Sequence, residues 1–149
     1  MCGFSGFLNF NPNWGDPLTL LQQMGDQLTH RGPDDSGVWF DNGCGVGFSH
    51  RRLSIIDLSA QGHQPMSSTS GRFVIAYNGE IYNHQELKKE LLQAGVIFRG
   101  GSDTEVLLAA IESWGIKQTL RRCIGMFAFS LWDKKEQTLS LVRDRMGEK

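Results

Sequence analysis

The chain has 149 residues, with 15 lysines and arginines against 16 aspartates and glutamates, a formal net charge of −1 and 40% hydrophobic residues. That length suits one domain able to bury roughly 68–70% of the surface its unfolded chain exposes. The near-neutral charge, without a lysine or arginine stripe, excludes an electrostatic footprint for nucleic acid or an anionic membrane, and no run of 18 apolar residues or secretory leader pattern occurs.

In chain order, residues 2–10 read as a strand in which glycines break a run of Phe4, Phe7, Leu8 and Phe10. The spacing of Leu18, Leu21, Met24, Gly25 and Leu28 predicts a helix over 17–29, with Asp16 as N-cap and Pro17 at its first position. "HRGPDDSG" (30–37) is turn chemistry throughout. Strand-like runs follow at 38–41 and 45–50, the second extended by "LSIID" at 53–57. Residues 58–71 are polar and patternless, which predicts a functional loop or lid.

The second half is more sharply punctuated. "RFVIAYNGEIYN" predicts a hairpin, with strands 74–77 and 80–82 joined by a turn at Asn78-Gly79. Asn83, three residues before Glu86, predicts a cap for a helix over 85–94 that Gly95 ends, and "VIFRG" reads as a short strand. "SDTE" (102–105) forms a capping box ahead of the apolar helix "VLLAAIESW", closed by Gly115. A short helix over 117–123 leads to a last hairpin, 126–132 and 138–142, around "DKKEQ". Strands early and late with helices between them predict antiparallel sheets covered by helices, an α+β domain, rather than a parallel βαβ sheet.

Three widely spaced cysteines, Cys2, Cys44 and Cys123, suit a reducing cytoplasmic compartment, and without a CxxC or His/Cys cluster there is no case for a metal site. Cys2 stands apart because removal of Met1 would give it both a thiol and a free α-amine. An α-amine with a pKa of about 7.7–8.0 can take the proton of a thiol whose pKa is about 8.5, making one residue both nucleophile and base. No histidine is then needed, and nothing in the sequence singles out His30, His50, His63 or His84. The alternative for Cys2 is an ordinary small core residue, the reading that suits Cys44 and Cys123.

"MCGFSGF", "HRGPDDSG", "HRRLSIIDLS", "QP", "NGEIYNH", "GSDTEV", "GMFAFSLWD" and "RDRMG", in that order, resemble the glutamine amidotransferase domain of asparagine synthetases. The resemblance spans essentially the whole chain. It implies the N-terminal nucleophile hydrolase fold, a four-layer α/β/β/α sandwich of two antiparallel sheets. It also implies hydrolysis of L-glutamine to glutamate and ammonia through a Cys2 thioester, with Asn78 and the Gly79 N–H as the oxyanion hole. Arg52, the second residue before "SI", corresponds to the family's ligand for the substrate α-carboxylate, Asp103 to that for the α-amino group, and Glu80 lies close enough to assist. For Asn78-Gly79 a plain turn, and for Asp103 simple preference for a helix N-terminus, are the structural alternatives. Arg51, Lys88, Lys89, Arg121 and Arg122 need no role beyond a solvated surface.

Residues 53–66, ending at Gln64-Pro65, resemble the loop that closes over glutamine in this family. No cofactor is implied for this domain; ATP and Mg belong to a synthetase domain, which in the family follows the "RDRMG" connection and has no phosphate-binding signature here. The partners implied are L-glutamine and that synthetase domain, with a homodimer left open. Two other functions remain: an N-terminal nucleophile hydrolase acting on another amide, and a non-catalytic binding or regulatory module of the same fold.

Overall fold

Alternating side chains sort the strands into two antiparallel sheets in the computed structural model, which describes residues 1–54 and 60–149. The first sheet has the order β1-β3-β2, from β1 (Gly3–Phe7), β2 (Asp35–Asp41) and β3 (Val46–Arg52). The second runs β4-β5-β6-β7, from β4 (Met66–Ser67), β5 (Phe73–Ile81), β6 (Gly125–Asp133) and β7 (Thr138–Arg143). Val46 and Phe48 of β3 meet Val74 and Ala76 of β5 and Trp132 of β6, so the sheets pack face to face.

Helices cover the outer faces. Helix α1 (Pro17–Asp26) buries Leu21 against the first sheet. Gly47 of β3 leaves room for it, since a Cβ there would lie 2.8 Å from both the Leu21 side chain and the Phe7 ring. On the second sheet, Ile75, Tyr77, Phe127, Phe129 and Leu131 pack against α2 (His84–Gln93), α3 (Asp103–Trp114) and α4 (Ile116–Arg122) in the larger core. The period of two is complete in β5, where Phe73, Ile75 and Tyr77 face the helices and Val74 and Ala76 face the other sheet. Among the described residues no helix is long and apolar enough to cross a membrane.

Several expectations are corrected. Asn78-Gly79 is not a hairpin turn: β5 runs unbroken from Phe73 to Ile81, and the pair lies opposite Ala128 and Phe127 of β6. Glycine is required there by strand contact, because a Cβ on Gly79 would overlap the Met126 carbonyl and lie 2.6 Å from the Phe127 Cα. Strand β1 covers only five of the nine residues expected. Helix α1 ends at Asp26 rather than at 29, and the chain continues in tighter turns, Leu28 N–H donating to Gly25 C=O and Thr29 N–H to Asp26 C=O.

"VIFRG" forms no strand. Val96 and Phe98 pack against the larger core while Ile97 is exposed, which reproduces a strand's alternation, but the Arg99 and Gly100 amides donate to the Glu105 carboxylate instead of a ladder. That leaves the capping box half made: Ser102 Oγ accepts from Glu105 N–H at 3.2 Å, while the Glu105 side chain is engaged elsewhere. Asn83 makes no side-chain cap; it donates to Arg122 C=O and accepts from Ile124 N–H, tying the start of α2 to the end of α4. Of the predicted extension 53–57, Leu53 and Ser54 are not in a strand and the remainder lies outside the described residues. The final hairpin, and the closure of α3 by Gly115 at φ 78°, are as expected.

Candidate active site

Cys2 precedes β1, and the pairing of Gly3 with Arg51 brings it to the end of β3. Its Sγ accepts from Leu53 N–H at 3.3 Å and donates to Leu53 C=O at 3.6 Å. The "HRGPDD" segment supports this end of the sheet: Arg31 Nε donates to the Cys2 carbonyl at 3.2 Å, and Asp34 N–H donates to Arg52 C=O at 3.0 Å. Alternation along β3 then separates two adjacent arginines. Arg51 points to the α1 side, donating to Gly25 C=O and pairing with Asp26. Arg52 points the other way, is 8% exposed, and its guanidinium lies so close to Gly62 that a Cβ there would overlap it.

The second wall is the edge of β5 turned away from β6. In an antiparallel strand the N–H and C=O of one residue point to the same side. Phe73 C=O accepts from Ser68 N–H in the strand-β4 connection, so the odd-numbered residues of β5 address this edge. Strand β4 reaches only as far as Ile75, and beyond it side chains take the place of a strand. Tyr77 N–H donates to Gln64 Oε1 at 2.7 Å, Tyr77 C=O accepts from His50 Nε2 at 2.9 Å, and Ile81 N–H donates to Asp103 Oδ2 at 2.9 Å. Between these anchored peptides, the Gly79 N–H points from the same edge toward the cleft.

Helix α3 supplies the third wall. Its Ser102 N-cap starts the helix, and Asp103 in the first turn is 6% exposed and accepts from the Tyr77 hydroxyl at 2.7 Å as well as from Ile81 N–H. Burial first, and then the Asp103 carboxylate, push the Tyr77 phenol well above its ordinary range, so the hydroxyl is the donor. Burial lowers the His50 imidazole to about 4, outweighing the opposing Tyr77 carbonyl and Asp35, while Arg52 and His63 push the same way as burial. The ring is neutral and its Nε2 carries the proton given to Tyr77 C=O, since a carbonyl only accepts.

These walls enclose a solvent-open cleft lined by all six residues that the sequence nominates: Cys2, Arg52, Asn78, Gly79, Glu80 and Asp103. Met1, Gln64 and Met126 also border it. A thiol, an outward backbone N–H and a carboxamide thus share a cavity with the Arg52 guanidinium, the Lys149 ammonium and two carboxylates. Such a charge pattern complements an amino-acid zwitterion.

The sequence matches the family described as "Glutamine amidotransferase domain" over residues 1–149. The chain belongs to this family. It is 40% identical over 151 residues to asparagine synthetase [glutamine-hydrolyzing] 3 of Bacillus subtilis (strain 168), covering 100% of this chain and 24% of that protein. The corresponding figures for asparagine synthetase [glutamine-hydrolyzing] 1 of the same organism are 43%, 100% and 23%. The amidotransferase domain therefore spans about a quarter of the length of these relatives. A solved structure, glutamine phosphoribosylpyrophosphate amidotransferase from B. subtilis complexed with ADP and GMP, superposes with a TM-score of 0.72 at 21% identity, over 97% of this chain and 37% of that one. That likeness shows a shared fold.

Within the amidotransferase domain, Gln64, His50 and Tyr77 were not nominated from sequence. His50 could have been found, since it shares a strand face with Arg52 two residues on. Gln64 was marked only through the "QP" motif at the end of the 53–66 segment, and its bond to the Tyr77 amide of β5 comes from folding. Cys123 is a buried core thiol, pushed up to about 11 by burial, as expected. Cys44 is half-buried, its Sγ accepting from Gln137 Nε2 at 3.2 Å. Three of the arginines and lysines expected merely to face solvent are structural: Arg51 ties α1 to β3, Arg122 lies over the Trp114 ring, and Lys88 donates to Gly100 C=O.

Proposed function

We propose that this domain hydrolyses the side-chain amide of L-glutamine to glutamate and ammonia through a thioester on Cys2, on the four-layer scaffold of the N-terminal nucleophile hydrolases. The observation that carries the reading is the convergence of Cys2, Asn78, Gly79, Arg52, Glu80 and Asp103 on one cleft in a glutamine amidotransferase domain. Removal of Met1 frees the Cys2 amine. The neutral amine takes the thiol proton, and sulfur attacks the amide carbon. Negative charge then develops on the amide oxygen, stabilised by the Gly79 N–H and the Asn78 carboxamide. The ammonium just formed protonates the leaving nitrogen as the C–N bond breaks, releasing ammonia. Water, deprotonated by the same amine, attacks the thioester carbon and frees glutamate and the thiol.

Arg52 receives the α-carboxylate, and Asp103, assisted by Glu80, receives the α-ammonium. Because the chain spans about a quarter of its synthetase relatives, we extend the proposal to a cytoplasmic protein in which the ammonia passes to an ATP-dependent, asparagine-synthetase-like part. ATP and Mg serve that part and not this domain. The 53–66 segment closes over bound glutamine on this reading; residues 55–59 of it lie outside those described.

Intact mass before and after treatment with a glutamine-mimicking electrophile tests the reading. Loss of one methionine and a single adduct mapped to Cys2 are expected, with no glutamate produced by Cys2→Ala. Active material that still carries Met1 would overturn it. Turnover of asparagine or simple acylamides in place of glutamine would assign the site to another amide, and Arg52→Lys is expected to raise the KM for glutamine.

A further inference from the structure

We infer that His50 and Gln64 are positioning residues for the oxyanion-binding amide, replacing a missing strand partner at Tyr77 and so fixing where the Gly79 N–H points. The inference rests on the glutaminase reading above. Gly79 lacks a Cβ and is the residue of β5 with the widest backbone freedom, so an outward N–H there needs external anchoring to hold one direction. On the β6 side its neighbours Asn78 and Glu80 lie in the ladder opposite Ala128 and Met126. Along the open edge, the anchors are the Tyr77 and Ile81 peptides, two residues away on either side, and the Ile81 amide is already held by Asp103.

At Tyr77 both polar groups are taken by side chains that are themselves buried. Gln64 is 4% exposed and is held from behind, its Nε2 donating to Thr104 Oγ1 at 3.4 Å in α3. Gln64 thereby joins the oxyanion edge to the first turn of the helix that carries Asp103, and Gly62, two residues earlier, lies against the Arg52 guanidinium. His50 is 1% exposed, and its Nδ1 has no hydrogen-bond partner among the described residues. A buried ring with an unsatisfied nitrogen is a costly way to fill space, which a leucine or phenylalanine would do without the penalty. Its Nε2–H, given to Tyr77 C=O, is what the imidazole supplies that those residues cannot.

Gln64→Met and His50→Leu are each expected to lower kcat at least about tenfold while the KM for glutamine stays within about twofold, the signature of a misdirected transition-state donor rather than a damaged substrate pocket. Affinity for glutamate γ-semialdehyde, whose adduct with the Cys2 thiol carries an oxygen at the oxyanion position, falls by the same factor. His50→Gln, which keeps an N–H near the Nε2 position, recovers most of kcat. Folded apolar variants with kcat within twofold of wild type, or a His50→Gln variant as impaired as His50→Leu, would overturn the positioning role and leave the glutaminase reading intact. A wild-type protein that releases no glutamate from glutamine removes both. If the apolar variants do not fold, amide hydrogen exchange in the unmodified protein decides: Tyr77 and Ile81 amides protected and Gly79 exchanging at least tenfold faster supports the clamp, and equal protection of all three overturns it.

Discussion

Strand alternation separates Arg51 from Arg52 where their chemistry does not. One reaches across to Gly25 and Asp26 of α1, and the other enters the cleft beneath Gly62. Asn78 and Gly79 are divided by the same rule applied to backbone groups, since only the odd residues of β5 aim their amides at the open edge. On the proposed mechanism the two residues would therefore serve the oxyanion differently, one through its side chain and one through its main chain. Asn78→Ala removes the former donor and is expected to lower kcat by about 10²–10³, or about 2.7–4 kcal/mol, with little change in KM. Steady-state glutamate release checks this, and an unaltered kcat would remove Asn78 from the oxyanion hole.

Elements position these residues by what they lack as much as by what they contain. A longer β4 would pair with Tyr77 and Gly79 and close the edge; at two residues it leaves that edge to Gln64, His50 and Asp103. The Asn-Gly pair misled local reasoning because its turn propensity is real in isolation, yet here the contact of β5 with β6 sets the demand for glycine. Helix α3 was legible because its start is local chemistry: Ser102 Oγ accepts from Glu105 N–H within one turn. Ser102→Ala is expected to cost about 1 kcal/mol by loss of that cap, measured by urea unfolding. Because Asp103 follows directly, the same variant should raise the KM for glutamine more than it lowers kcat.

For the whole molecule, the two sheets meet over His50, and this contact gives stability an acid limb. The imidazole is held at about 4 against 6.5 when free, so as pH falls the unfolded chain takes up a proton before the folded one does. Stability is fully present above about pH 6.5 and is lost as pH falls toward 4, by about 3 kcal/mol. Urea midpoints between pH 7 and 4 check this, and His50→Gln should flatten the limb; an equally steep limb in that variant would place the acid loss elsewhere. Asp133, held low first by Arg72, extends the loss below that range. A second global readout is ligand linkage. Cys2→Ala protein in glutamine at 100 times its Kd should gain about 2.7 kcal/mol of stability and asparagine much less, and an unmoved thermal midpoint in glutamine would count against the substrate. Elements whose signals are local, α3 with its Ser102 cap and the last hairpin among them, were legible in the residues alone, and the ordered motifs nominated six residues that do share a cleft. Folding alone makes Asn78-Gly79 strand and not turn, leaves residues 96–98 alternating without a partner strand among the described residues, and brings Gln64 and His50 to the edge of β5. Those outcomes depend on contacts between residues 13 to 50 positions apart, and such contacts are set by packing that no local propensity encodes.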